Sequence, residues 1–110
     1  MSDNHRVFIT GIGMVSPLGL DTASSWERLV QGGSGIDFIT AFDAEAFDTR
    51  FAAEVKGFDP EHYLDRKQAR RMDRFAQFAA VAAQEACRQA NLDPREAEPY
   101  RIGVIIGSGI

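Results

Sequence analysis

Val7-Phe8-Ile9 is a continuous apolar run that gives way to Thr10-Gly11-Ile12-Gly13. A β-prone run without polar interruption predicts a strand buried on both faces. Beyond a loop at Ser16-Pro17-Leu18-Gly19 the period lengthens. Trp26, Leu29 and Val30 recur at i, i+3 and i+4, so a helix with one buried stripe is expected. Asp21, Thr22 or Ser24 can cap it, Ser24 and Glu27 stand at capping-box spacing, and Gly32-Gly33 stops it. Residues 34–50 read as a loop, with Phe38, Phe42 and Phe47 pinning it to the body. Phe51, Ala53 and Val55 then alternate with Ala52, Glu54 and Lys56, the period of a half-exposed strand.

Asp59-Pro60-Glu61 is a helix start, a cap followed by proline at the first helical position. The longest helix is predicted from about Asp73 to Ala90, a stretch rich in alanine and free of glycine and proline. Phe75, Phe78, Ala79, Ala82, Ala86 and Ala90 give it an apolar face that becomes small in its later turns. Small residues admit a neighbour closely, so this helix is expected deep in the molecule. Asn91 ends it, Pro94 blocks continuation, and Ile102 to Ile106 reads as a last strand before the glycine turn Gly107-Ser108-Gly109. The order strand, helix, strand, helices, strand is α/β. An apolar strand such as Gly103-Val104-Ile105-Ile106 is normally flanked on both sides, and too few strands are present to flank it. The expectation is therefore that the rest of the sheet lies outside this chain.

The chain has 110 residues, of which 45% are hydrophobic and 25% charged, the composition of one ordinary globular domain rather than a disordered segment. A net charge of −4 argues against nucleic acid as the main partner. A single cysteine, Cys87, excludes an internal disulfide and favours a reducing compartment. With a strand predicted almost from the first residue and no apolar run of membrane-span length, a cytoplasmic protein with neither leader nor membrane association is expected.

Little conventional site chemistry can be assembled. The Gly11-x-Gly13 pair after a strand departs from a dinucleotide fingerprint: Ser16 stands at the third glycine position, Pro17 follows, and the helix begins too late. Close packing is the simpler use of those glycines. Cys87 falls near a helix C-terminus, where the dipole opposes a thiolate, so it reads as a packing residue. His5 and His62 share no metal-ligand spacing with each other or with Cys87. No metal and no cofactor is expected.

One stretch stands apart. Residues 66–74 carry Arg66, Lys67, Arg70, Arg71 and Arg74 against Asp73, a local charge of +4 that leaves −8 on the remainder. On a helix, Lys67, Arg70, Arg71 and Arg74 would share one face. That face is either solvated and paired with acids such as Glu61 and Asp65, or a docking patch for an acidic partner. Nucleic acid is the weaker third reading, since Phe75 is the only stacking aromatic nearby.

Four stretches in order, VFITGIGMVSPLG, SSWERLVQGGSGI, DRKQARRMDRF and RIGVIIGSGI, resemble the N-terminal part of the β-ketoacyl-acyl-carrier-protein synthases. They are most similar to the type II condensing enzyme of fatty-acid elongation, and the likeness runs from about Arg6 to Ile110. It implies a thiolase-like layered fold of two related α/β halves, with residues 1–110 as an incomplete opening portion of the first. It implies decarboxylative Claisen condensation on carrier-bound acyl and malonyl thioesters, in a homodimer. The family's cysteine nucleophile and two histidines match nothing in this chain, Cys87 included, so these 110 residues are expected to be inactive by themselves. Two features carry over by position. Lys67, Arg70 and Arg71 match basic positions that dock acyl carrier protein, and Ile110 matches a wall of the acyl pocket. Leu20-Asp21 departs from the family's usual Gly-Asn-type turn, and Arg71 keeps the charge but not the geometry of a lysine. These departures leave the subtype open among type I, type II and a polyketide synthase relative. Separately, the basic helix leaves a non-catalytic module that recruits an acidic carrier as an alternative.

Overall fold

In a computed structural model, which describes residues 4–109, the longest helix lies almost where the alanine-rich pattern places it. This helix, α3, spans Arg74–Gln89, with Asp73 and Ala90 as its flanking caps. Asn91 terminates it in the left-handed conformation (φ 52°), and its last carbonyls are closed by Asn91 N–H to Arg88 and Leu92 N–H to Cys87. The first helix, α1, spans Thr22–Val30. Its cap is Asp21, whose carboxylate accepts from Ser24 N at 2.7 Å and Ser24 Oγ at 2.5 Å, so the capping box at Ser24 and Glu27 does not form. Gly32, at φ 75°, and Gly33 end α1 by donating to Leu29 O at 3.0 Å and Arg28 O at 2.8 Å, the paired closure that a left-handed residue permits.

The expected loop at 34–50 contains a strand. β1 (Ile36–Phe38) pairs antiparallel with β2 (Phe51–Ala53), with Ile36 opposite Ala53 and Phe38 opposite Phe51. Phe42 and Phe47 face each other edge to face, 5.7 Å between centroids, and both stay exposed. The hairpin loop is tied down instead by Glu54, whose carboxylate accepts from Thr40 N at 3.0 Å, Ala41 N at 2.9 Å and Thr40 Oγ1 at 2.9 Å. Pro60–His62 is a single 3-10 turn capped by Asp59, as the Asp-Pro start predicts. A basic turn of helix, α2, follows at Arg66–Ala69.

The core is small and lies between α2, the 3-10 turn and the middle of α3. Phe58, Leu64, Ala69 and Val81 are buried there, with Val15, Leu20, Val55, Met72 and Phe78 packed around them. Phe58 stacks on Tyr63 and meets Phe78 edge to face. The small later face of α3 does admit a close neighbour, namely the N-terminal segment. A β-carbon on Gly13 would fall 1.7 Å from Ala82 O, and one on Gly11 2.1 Å from Ala86 O. Backbone therefore crosses backbone at these two glycines, which is the packing role expected of them. Two α3 side chains hold the crossing. Gln89 Oε1 accepts from Ile12 N at 2.6 Å, and the Glu85 carboxylate accepts from both Met14 N at 2.9 Å and Thr22 N at 3.0 Å.

Three further expectations of burial are overturned. Residues 7–9 and 102–106 are not in strands, and Val7 and Ile105 are 93% and 97% exposed. A strand exists only with a hydrogen-bonding neighbour, and the described residues supply none for either run. Trp26, Leu29 and Val30 are also exposed, and the buried residue of α1 is the polar Ser25, whose hydroxyl meets Ser16 Oγ at 2.8 Å. The radius of gyration is 17.5 Å, against about 13 Å for a compact chain of this length. That excess fits the apolar runs left in solvent.

Candidate functional site

The basic stretch folds into a short, anchored turn. Leu64 and Ala69 are its buried ends, and Ala69 is only 3% exposed. Between them Asp65 caps α2, accepting from Lys67 N at 3.1 Å and Gln68 N at 3.4 Å. Arg70 closes the turn onto Arg66 O, Arg71 donates to Gln68 O at 3.0 Å, and Met72 donates to Ala69 O at 3.2 Å. Asp73 is then extended (ψ 161°), and a new helix starts at Arg74. The cationic residues thus sit on one turn and its exit rather than on one long helix.

That break separates the cations into two groups. Lys67, Arg70 and Arg71, with Asp65 and Arg66, line an open depression of about 520 Å³. Arg74 is not with them. Its guanidinium lies 5.1 Å from the ring centres of both Phe58 and Phe78, and it donates to Phe58 O at 3.4 Å. The expected four-residue face is therefore a three-residue cluster, and Arg74 braces the core by cation–π contact.

The acids expected to neutralise the cluster are engaged elsewhere. Glu61 pairs with Arg66 at 3.4 Å, and the Asp65 carboxylate is turned to the α2 amides. Among the described residues, no ion pair involves Lys67, Arg70 or Arg71. What the arrangement offers is three exposed positive side chains, fixed at their backbones and open to a negative partner, with neither a proton relay nor a nucleophile beside them. Cys87 is half-buried near the C-terminal end of α3, and His62 is at the surface 3.5 Å from Asp59. Among the described residues no cluster of three metal-ligating side chains occurs. Ile110 lies outside the described residues.

Perturbed titration is found on other elements. Hydrogen bonds from the Ser24 side chain and then its backbone hold the Asp21 carboxyl below its usual range. Backbone N–H groups of Ala41 and Thr40 do the same for Glu54. Arg95, first by a side-chain hydrogen bond, draws Asp93 down to about 2. Sequence reading missed Gln77, whose Nε2 donates to Ala69 O at 2.9 Å and Met72 O at 3.3 Å across the α2–α3 break. Its one sequence signal is an amide four positions past a helix-starting aspartate, too common to single out.

Comparison with known proteins bears on this turn. A family model described as the N-terminal domain of beta-ketoacyl synthase matches residues 4–110. The 3-oxoacyl-acyl-carrier-protein synthase 2 of Staphylococcus aureus strain COL is 52% identical over 110 residues, covering 100% of this chain and 27% of that protein. The protein of the same name from Vibrio cholerae is 50% identical over 106 residues, 96% of this chain and 26% of its own length. Among solved structures, the ishigamide ketosynthase/chain length factor superposes with a TM-score of 0.71 at 33% identity, over 80% of this chain and 22% of that one. The thiolase-like α/β fold expected from the sequence is thereby upheld. The chain spans about a quarter of the length of these relatives.

Proposed function

The chain belongs to the β-ketoacyl synthase family, through that family's N-terminal domain, and from that premise we propose that it is the carrier-docking portion of a condensing enzyme. Residues 1–110 form the opening part of a thiolase-like domain, and Lys67, Arg70 and Arg71 receive the acidic surface of acyl carrier protein. The observation that carries this reading is the turn itself: three cations held in place, open to solvent and, among the described residues, in no ion pair. One-signed patches of this kind steer encounter and fix orientation. Correct orientation directs the thioester-bearing arm of the carrier toward the reaction site.

The reaction proposed for the whole enzyme is decarboxylative Claisen condensation in fatty-acid elongation. A cysteine thiolate takes the acyl group from its carrier, releasing the carrier thiol. Malonyl thioester then loses carbon dioxide, and the resulting enolate carbon attacks the acyl-enzyme carbonyl. A carbon–carbon bond forms, the cysteine leaves as thiolate, and the product is a carrier-bound 3-oxoacyl chain. Neither Cys87 nor the histidines of this chain serve in these steps, which proceed in a cytoplasmic homodimer without metal or cofactor. Ile110 forms a wall of the acyl pocket. Identity of 52% and 50% to the two synthases, against 33% to the ketosynthase/chain length factor, favours fatty-acid elongation over a polyketide role.

The test is titration of full-length enzyme with acyl carrier protein, comparing wild type with the pair Lys67→Glu and Arg70→Glu. An exposed ion pair is worth up to about 1 kcal/mol, so reversing two sites weakens binding by about 2 kcal/mol, roughly 30-fold. Unchanged binding at low ionic strength would remove the docking assignment.

A further inference from the structure

Gln77 reaches out of the first turn of α3 and donates both of its amide hydrogens backward, to Ala69 O and Met72 O. These carbonyls flank Arg70 and Arg71. They lie at the last residue of α2 and in the gap before α3, so no helical amide is placed to satisfy Ala69 O beyond Met72 N. The ladder is interrupted at Asp73, and this side chain spans the interruption. On one side of the gap Ala69 is locked in the core, and on the other Arg74 is held over Phe58 and Phe78. Between them the path is held by the turn's own amides and by Met72 against the core, and Gln77 is the side chain that ties the exit of α2 to α3.

We infer that Gln77 is a positioning residue for carrier docking, because its double hydrogen bond fixes the backbone that presents Arg70 and Arg71. The inference rests on the docking reading proposed above. A long cationic side chain gains from a fixed root, since a partner then does not have to order the backbone as well as the side chain. Without Gln77 the charges remain but the segment from Arg70 to Asp73 samples more conformations, and the carrier meets a cluster that it must first arrange. The effect is on capture of the carrier and not on the chemistry that follows.

The experiment uses the full-length enzyme with an acyl substrate presented in two forms, bound to acyl carrier protein and as a small carrier-free thioester. Gln77→Ala keeps helix propensity high and Gln77→Met keeps side-chain length, so the test does not depend on one variant folding. KM for the carrier-bound form is expected to rise about fivefold, close to 1 kcal/mol, while kcat stays within about twofold. The ratio of carrier-bound to carrier-free efficiency accordingly falls about fivefold. A loss shared equally by both substrates marks a merely structural role and overturns the inference. Lys67→Glu with Arg70→Glu runs alongside. If these reversals lower the ratio and both Gln77 variants leave it unmoved, the positioning role fails and docking stands. If the reversals leave it unmoved, the docking reading falls and takes this inference with it.

Discussion

Replacing Gly13 by alanine tests the backbone crossing on which the N-terminal segment depends. The new β-carbon would lie 1.7 Å from Ala82 O, 2.6 Å from Ala82 C and 3.0 Å from Ala86 N. Ordinary contact begins at 3.4 Å, so the nearest contact is 1.7 Å too short. The obstacles are backbone atoms in mid-helix and cannot swing aside. The segment must lift instead, stretching Met14 N to Glu85 and Ile12 N to Gln89 beyond hydrogen-bonding distance. Overpacking of this kind costs about 1–3 kcal/mol, and the two hydrogen bonds are worth about 1 and 1.5–3 kcal/mol before solvent replaces part of them. Both are solvent-exposed, so about 3 kcal/mol is the net expectation. In urea titration, with m at roughly 1–3 kcal/mol/M, the midpoint falls by about 1 M or more. Gly103→Ala is the control, since nothing lies within 4 Å of its added carbon. A Gly13→Ala midpoint indistinguishable from that control would refute the close crossing.

Arg74→Ala is expected to lower stability by about 1 kcal/mol through loss of its cation–π contacts, while changing carrier affinity far less than Lys67→Glu; paired thermal melts and titrations check this. Asp21→Ala removes the α1 cap and should cost about 1 kcal/mol, measurable by urea denaturation. Because the folded carboxyl of Asp21 is held below its ordinary 3.8, its contribution is full above that pH and lost as pH falls through the depressed folded value. Asp93 should titrate near 2 by carboxyl NMR and return toward 3.8 in Arg95→Ala, whose side chain supplies the largest part of the shift. For the enzyme as a whole, Ile110→Phe should shorten the acyl chains accepted, at about 1–3 kcal/mol per excluded methylene, read from competition between chain lengths.

Local rules made α3, the Asp59-Pro60 turn and the glycine stop after α1 legible, because each is decided by neighbours in sequence. The basic cluster was legible as charge, and the family likeness as ordered motifs. What escaped depends on distant partners. Ile36–Phe38 looks like loop until Phe51–Ala53 folds back across an aromatic turn to pair with it. Residues 7–9 and 102–106 have strand composition without strand neighbours among the described residues. Arg74 falls on the same periodic stripe as Lys67, and the break at Asp73 sets it apart from the cluster, over the Phe58 and Phe78 rings. Trp26 and Leu29 are exposed while α1 docks through the hydroxyl contacts of Ser25, which a hydrophobic stripe cannot foresee.

The Glu85 carboxylate that holds Met14 and Thr22 lies 71 and 63 residues downstream of them. During synthesis, α1 therefore emerges long before the group that satisfies its first amide exists. Contacts of such span form late, after the entropy of closing a long loop has been overcome. The first turn of α1 and the segment before it accordingly wait on the ribosome for the later half of α3, and a nascent chain arrested short of Glu85 leaves both undocked.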